Sequence, residues 1–397
     1  MVAGFYRHPR RVWMRKALFQ VHLWVGIILC AYCLLIGVSG SVLVFEDELA
    51  NVFRPHLMKA AGERVTNPLQ VNNLPHTRPT QIGLAEVARI VRRAYPDRRI
   101  EAVYAPGVRG ENYVAYVEAE RSVFVDAVTG RVVGHQDRGS LEWVADLHFR
   151  LLAGQTGLIV NGIGAASLLV LCVSGIAVWW PGVKTWKRAL RVDFRRRWQR
   201  INFDLHSSIG FWSLAILSIW AVSGIYFLWP DAFPGGPPKM RDFKKDTAQL
   251  PLELCVERAV GIEPGGKLEG VAFAEGKQPL SVMLARAEQG DFMRTTWVFF
   301  DPANGRVAGT WRRGVNRTLG DWFVWLLIPL HFGTYWGMAV KCVWATLGIT
   351  LPVLAITGVL MYWNRVLKKK WRAIGNDRVR SRSRRPLDRP DVQLETP

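Results

Sequence analysis

Leu330-His331-Phe332-Gly333 opens the last long apolar segment of the chain, and Leu147-His148-Phe149-Arg150 opens an earlier one in the same way. Glycine follows each histidine after six residues, as Gly154 and Gly337, and again after twenty-seven, as Gly175 and Gly358. Aromatic pairs, Trp179-Trp180 and Tyr362-Trp363, follow at thirty-one and thirty-two. A second histidine pair, His22 and His206, opens the other two apolar segments, with Gly26 and Gly210 four residues on and Ser39-Gly40 and Ser223-Gly224 at seventeen and eighteen. The chain is an internal repeat in which each of four apolar segments carries one leading histidine.

With 397 residues, half of them hydrophobic and 18 of them tryptophan, the chain is too long and too apolar for a small soluble domain. A span needs about 20 mostly apolar residues, and Leu23 to Phe45, Leu158 to Trp180, Ile209 to Trp229 and Val343 to Trp363 qualify. Basic residues stay on the cytoplasmic side. Residues 1–21 carry five Lys/Arg and no acid, 181–205 eight against two, and 364–397 eleven against four, whereas 47–147 and 231–330 are balanced at thirteen against thirteen and thirteen against twelve. The expected order is a basic cytoplasmic N-terminus (1–21), a first transmembrane helix (22–46), a periplasmic insert (47–147), a second helix (148–180), a basic cytoplasmic loop (181–205), a third helix (206–229), a second periplasmic insert (230–330), a fourth helix (331–363) and a basic, disordered cytoplasmic tail (364–397). This describes a multi-pass protein of the bacterial inner membrane with both termini inside. Nearly all of the formal net charge of +20 then lies where anionic membrane lipid attracts it, and nucleic acid is not an expected partner.

Five cysteines supply no disulfide framework: Cys30, Cys33, Cys172 and Cys342 lie in apolar segments and Cys255 in an insert. Cys30-Ala-Tyr-Cys33 has redox-motif spacing without the soluble βαβ setting that motif needs, and no Cys-x-x-Cys-His covalent haem attachment site occurs. Arg10-Arg11 before an apolar run resembles a twin-arginine signal, but the run is too long for a cleaved signal and matches a later segment, so it reads as an uncleaved first span.

Each insert reads as a small α+β module. Asn51 to Thr80 is a polar connector, Ile82 to Ala94 has helical periodicity, and Ala102 to Tyr104 and Tyr113 to Val117 are strand-like. Val123 to Gly134 reads as a hairpin turning at Thr129-Gly130, and Val298 to Gly309 repeats it with aspartate, turn glycine and final glycine at identical spacing. Leu252 to Val260 predicts a short helix, and Val271 to Ala285 further strand.

The recurring His and Ser/Thr-Gly signatures and the Asp-x-x-x-Gly-Arg-Val hairpins resemble the PepSY-associated transmembrane proteins, most closely their ferric-siderophore reductase branch, from His-Leu-Trp-Val-Gly at 22 to Met-Tyr-Trp-Asn at 361. The fold class implied is membrane α-helical, four transmembrane helices in a bundle with two extracytoplasmic α+β PepSY-like modules. The activity implied is reduction of siderophore-bound Fe(III) to Fe(II). PepSY modules also occur in peptidase propeptides and inhibitors, so they do not by themselves imply redox chemistry.

Ionisable residues within spans usually face the bundle interior and mark a site. A single histidine at a span boundary also reads as an interfacial hydrogen-bonding residue, but four in repeat-related positions form two like pairs. By topology His22 and His206 share the inner face, and His148 and His331 the outer. Facing imidazoles across a bundle suit the two axial positions of a haem, so two haem b are the expected cofactors, with the four histidines as iron ligands. Gly26, Gly210, Gly154 and Gly337 either clear space for a flat ring or serve helix packing. Zinc or copper is the competing reading, but a closed zinc site wants four converging ligands. Arg150 reads either as a propionate partner or as a headgroup contact. Trp24, Trp212, Trp220 and Trp344 read as packing residues or electron relays, and Lys341 as an interfacial snorkelling residue.

Leu158 to Ser167 imitates a dinucleotide fingerprint but misses its third glycine and lies within a span. The expected partners are therefore a ferric siderophore or other iron chelate outside, and an external electron donor, a quinol or a cytoplasmic reductase. Two other readings stand beside this one: a haem-free accessory protein that binds a peptidase or transporter, and a di-haem protein with a different periplasmic acceptor.

Overall fold

The computed structural model describes residues 13–53, 57, 82–108, 111–118, 121–137, 139–181, 185–233, 238, 252–273, 279–286, 294–301, 304–315, 318–333, 337–368 and 371. Arg10-Arg11, most of the polar connector and nearly all of the basic tail lie outside them. In chain order the helices are α1 (Trp13–Ile28), α2 (Cys30–Leu43), α3 (Glu46–Phe53), α4 (Leu84–Ala94), α5 (Ser140–Arg150), α6 (Gly154–Trp179), α7 (Trp186–Ala189), α8 (Trp198–Leu228), α9 (Leu252–Ile262), α10 (Leu319–Phe332) and α11 (Gly337–Tyr362). A π-helical turn, Trp363–Leu367, continues the last.

Helices α6, α8 and α11 are long and apolar enough to cross a membrane. Such helices satisfy their backbone internally, as a span must. The bent pair α1 and α2, at 63° to one another, meets the same criterion if it forms one span. Two compact units divide the chain: residues 1–34, 170–214 and 350–397 form one, and 35–169 and 215–349 the other.

Two of the expected spans subdivide. The 148–180 segment breaks into the end of α5, a turn and α6, because Leu151, Leu152 and Gly154 all adopt positive φ. The 331–363 segment breaks likewise between α10 and α11, at Gly333 and Gly337 with φ of 69° and 76°. His148 and His331 therefore belong to short helices that precede the spans. His331 and Lys341 therefore lie on different helices. Gly154 and Gly337 keep their positive φ in both repeats, whereas Leu151 and Leu152 bear the left-handed geometry with side chains, at about 1 kcal/mol each or more.

The inserts fold as expected at the level of elements, with strands β1 (Ile100–Tyr104), β2 (Tyr113–Val117), β3 (Arg121–Val125), β4 (Val132–Gln136), β5 (Lys267–Ala272), β6 (Leu280–Ala285), β7 (Thr295–Phe300) and β8 (Val307–Arg312). Asp126 explains the hairpin pattern. Its carboxylate accepts from the Val128 and Thr129 amides and the Thr129 hydroxyl, while its carbonyl accepts from Gly130. Gly130 has φ 69° and its repeat partner Gly305 66°, the left-handed region that glycine enters without a steric penalty.

The two modules are not separate. They join edge to edge through β1 and β5, with Ala102 opposite Ala272 and Val103 opposite Val271. One antiparallel sheet results, in the order β4-β3-β2-β1-β5-β6-β7-β8. Pairing the two inner edges removes what would otherwise be open strands prone to association. Helices α4 and α9 share a single core on this sheet, with Val87, Val91, Cys255 and Ala259 buried among Val103, Val125, Val271 and Phe300. Burial raises the Cys255 thiol above its ordinary value, consistent with a packing role.

Lys341 does not snorkel. It is 8% exposed and its ammonium donates to both carboxylate oxygens of Glu48 on α3, at 2.8 and 3.0 Å. An opposite charge within reach satisfies a buried ammonium without sending it to the interface. Burial alone would raise Glu48, but the hydrogen bond and charge of Lys341 hold it below the usual carboxylate range. The pair's contribution is thus present above the unfolded-state carboxylate pKa and lost as pH falls through the lowered folded value. Removing one partner of a fully buried pair costs about 3–5 kcal/mol. Because the Glu48 side chain is 36% exposed, we expect about 2 kcal/mol for Glu48→Gln at neutral pH. The Glu48→Gln/Lys341→Met double variant should lose less than the single one, as checked by denaturant titration in detergent.

Candidate functional site: two histidine pairs

The four histidines come together two by two. The His22 and His206 rings lie 6.4 Å apart between centroids at an interplanar angle of 89°, and those of His148 and His331 lie 6.3 Å apart at 66°. His22 is on α1 and His206 on α8, while His148 is on α5 and His331 on α10. Each pair takes one histidine from each half of the repeat.

One device holds every ring. His22 Nδ1 lies 3.0 Å from Ser174 Oγ, His148 Nδ1 3.0 Å from Ser39 Oγ, His206 Nδ1 2.9 Å from Thr357 Oγ1, and His331 Nδ1 2.6 Å from Ser223 Oγ. Each hydroxyl donates its own proton to the carbonyl four residues back on its helix: Val170, Leu35, Val353 and Ile219. The hydroxyl oxygen must then accept from the ring, so Nδ1 carries the proton. A neutral imidazole protonated at Nδ1 keeps its lone pair on Nε2, the nitrogen left to accept a proton or bind a metal.

The residue after each hydroxyl is glycine, and at three sites the ring explains it. A Cβ at Gly40 would meet His148 Cε1 at 2.9 Å, one at Gly175 would meet His22 Cε1 at 3.2 Å, and one at Gly358 would meet His206 Cε1 at 3.4 Å. At the fourth, Gly224, the close neighbour is the Ala165 methyl at 2.9 Å, a helix-packing contact. The glycines singled out near the histidines have other reasons. A Cβ at Gly26 or Gly210 would make ordinary contact with Leu171 or Leu354, and Gly154 and Gly337 serve the backbone turns.

The ends of the histidine-bearing helices are also held. At α5, Asn161 Nδ2 donates to the carbonyls of His148 and Phe149, at 2.8 and 3.0 Å. At α10, the Trp220 and Trp344 indoles both donate to the Leu330 carbonyl, at 3.2 and 2.7 Å. These groups satisfy carbonyls that a terminating helix leaves without partners. Gly333 makes the second arrangement possible, since a Cβ there would sit 2.5 Å from the Trp344 ring. Phe227 meets His331 edge-on at 5.1 Å. Trp24 is half exposed against Tyr362 and Trp212 is 67% exposed. Arg150 is exposed at the last residue of α5. Among the described residues no three His, Cys, Asp or Glu side chains converge on one point.

Residues 19–365 match the profile of the PepSY-associated TM region. The chain belongs to the PepSY-associated transmembrane family. It is also 24% identical over 265 residues to "Uncharacterized protein PA4219" of Pseudomonas aeruginosa, a match covering 57% of this chain. The chain spans 64% of the length of that relative. Within the PepSY-associated family, the two repeats of this chain each supply a histidine to both pairs and a hydroxyl-glycine clamp to both. Ser174 and Thr357 are the clamp residues that sequence reasoning passed over, although each precedes a glycine already matched between repeats. Asn161 was likewise hidden in a glycine-rich run that imitates a nucleotide motif.

Substitution should separate the clamps. Alanine in a helix interior gains up to about 1 kcal/mol over glycine, so Gly358→Ala should be neutral or slightly stabilising. Gly40→Ala should lose about 1–2 kcal/mol net, because the ring it would strike is fixed by Ser39. Denaturant midpoints of the two variants check this.

Proposed function

We propose that the chain is a di-haem electron-transfer protein of the bacterial inner membrane that reduces Fe(III) to Fe(II) in an external siderophore chelate. His22 and His206 hold one haem b toward the cytoplasm, and His148 and His331 hold the other toward the periplasm. The ring separation carries the proposal. An imidazole nitrogen bonds a metal at about 2.0 Å and the ring centre lies about 1.1 Å further, so two rings about 6.2 Å apart between centroids would have room to hold one metal between them. The two pairs stand at 6.4 and 6.3 Å, and each offers two Nε2 lone pairs with no third ligand converging among the described residues. This donor set suits two axial positions better than a closed tetrahedral zinc site.

Haem held by these histidines would supply one-electron chemistry. The protein's part is to orient and tune. The four hydroxyls fix the Nδ1–H tautomer, aim Nε2 and make the ring a better donor, as outer-shell partners of metal-bound histidine do. Asn161, Trp220 and Trp344 hold the helix ends that carry His148 and His331. Arg150 supplies positive charge for a propionate at that pair. The basic segments 1–21, 181–205 and 364–397 face the cytoplasm and the sheet faces the periplasm. One electron per Fe(III) enters from a quinol or a cytoplasmic reductase and leaves to the chelate, so the reaction uses no acid, base or nucleophile from the protein.

The proposal predicts an asymmetry between the pairs. When dithionite-reduced protein is mixed anaerobically with a ferric siderophore and a ferrous-iron trap, the wild type should be reoxidised with stoichiometric Fe(II) release. His22→Ala should keep single-turnover transfer from the pair nearer the chelate, whereas His331→Ala should slow it at least a hundredfold. Equal behaviour of the two variants, or reoxidation without Fe(II), would contradict the assignment. Faster reoxidation by a periplasmic redox protein than by any ferric chelate would point to that acceptor instead.

A further inference from the structure

Helix α10 carries apolar residues on two sides. Val324, Trp325, Leu327 and Ile328 are buried in one core with Tyr226 of α8. Leu319, Trp322, Phe323 and Leu326 form a separate stripe, at three, four and seven residues from the first, the spacing of a single helix face. Leu319 is 88% exposed and the other three are 40–50% exposed. Large apolar side chains in one continuous exposed stripe mark a surface that meets something other than water.

Polarity along α10 and the ties at its far end say what that is. The helix starts six residues after β8, and its one acid, Asp321, is held in the first turn by a capping box with Thr318. Beyond that turn no charged side chain follows, and a helix apolar all round belongs in a core or a membrane. The matched helix of the first repeat differs: Glu142 and Asp146 of α5 stand where α10 has Trp325 and Pro329, at the offset that relates His148 to His331. At the C-terminal end the Leu330 carbonyl accepts from Trp220 and Trp344, and His331 bonds Ser223. Trp220 lies eight residues before the end of α8 at Leu228, and Trp344 seven after the start of α11 at Gly337. Those distances are about 12 and 10 Å along the two axes. Both helices are long and apolar enough to cross a membrane, so the end of α10 lies alongside them and not beyond their ends.

We propose that α10 is a half-span: it enters the membrane leaflet on the side of the sheet, and its stripe of Leu319, Trp322, Phe323 and Leu326 lies against lipid acyl chains. Its 14 residues reach about 21 Å, short of the roughly 30 Å hydrocarbon core, and it ends inside the leaflet at the turn begun by Gly333. Leu319 and Trp322 lie nearest the headgroups, the level at which tryptophan is favoured, and Leu326 lies deepest. His331, in the last turn, is thereby carried below the membrane surface, where bulk water does not compete for its bond to Ser223. The inference holds whatever cofactor the histidines bind.

Spin-label accessibility tests it, on the full-length chain with alanine at all five cysteines, in nanodiscs of phosphatidylethanolamine and phosphatidylglycerol at three to one. A nitroxide collides with oxygen in lipid and with a nickel chelate in water. The oxygen-to-nickel ratio at Leu326→Cys should be at least fivefold that at Thr310→Cys, exposed on β8, and should match that at Val343→Cys, exposed on α11. It should also rise from Leu319→Cys through Phe323→Cys to Leu326→Cys. A ratio at Leu326→Cys equal to that at Thr310→Cys would place the stripe in water and overturn the proposal. Exclusion of both reagents would overturn it too, and a dimeric elution profile would then assign the stripe to a second copy of the chain. If the cysteine-free chain does not fold, the wild type carries the test. A diazirine on a lipid acyl chain should leave adducts on residues 319–326 as well as on α11, and adducts on α11 alone would overturn the proposal.

Discussion

The hydrogen bond from a histidine Nδ1 to a helix-borne hydroxyl is the constraint on which the arrangement of this protein depends. An imidazole inside an apolar bundle is costly unless its polar atoms are satisfied, and its orientation is undefined unless one nitrogen is fixed. Ser39, Ser174, Ser223 and Thr357 do both at once. Because each hydroxyl sends its own proton to a carbonyl on its own helix, the direction of every ring bond is determined. Glycine after the hydroxyl then lets the ring approach the helix backbone at three of the four sites. The clamp runs within a repeat, whereas the imidazole pairs run between repeats. Duplicating such a unit therefore produces two sites together, each requiring both halves.

The same logic operates in the sheet. Each insert contributes four strands and one helix, and neither half closes its own inner edge. Joining β1 to β5 makes one sheet with one core. The two repeats are thus committed to each other in the sheet and in both histidine pairs. Within the second repeat α10 is held in addition by its C-terminal carbonyl at Leu330, which accepts from Trp220 of one helix and Trp344 of another.

Much of this was legible in the chain because duplication makes chemistry visible. His22, His148, His206 and His331 recur at matched positions, the hairpin aspartates and glycines recur with them, and hydropathy periods separate spans from strands. The sheet's unity was not legible, since edge pairing depends on which strands are left open and not on any local pattern. Nor were the breaks after His148 and His331, because Leu151 and Leu152 carry no turn signature and Gly333 lies in an apolar run where glycine also occurs inside helices. Lys341 looked interfacial because its counter-ion, Glu48, is almost three hundred residues away in sequence. The hydroxyl clamps were half visible: the glycines stood out, but only geometry tells which ring each adjacent hydroxyl holds.

Whether the two imidazole pairs each hold one haem, as proposed, is read by a redox-resolved absorption spectrum with haem quantification on the purified full-length protein. Two low-spin haems per chain are expected, falling to one in either His22→Ala or His331→Ala. Protein without haem, or a single substitution that removes both haems, would contradict the proposal.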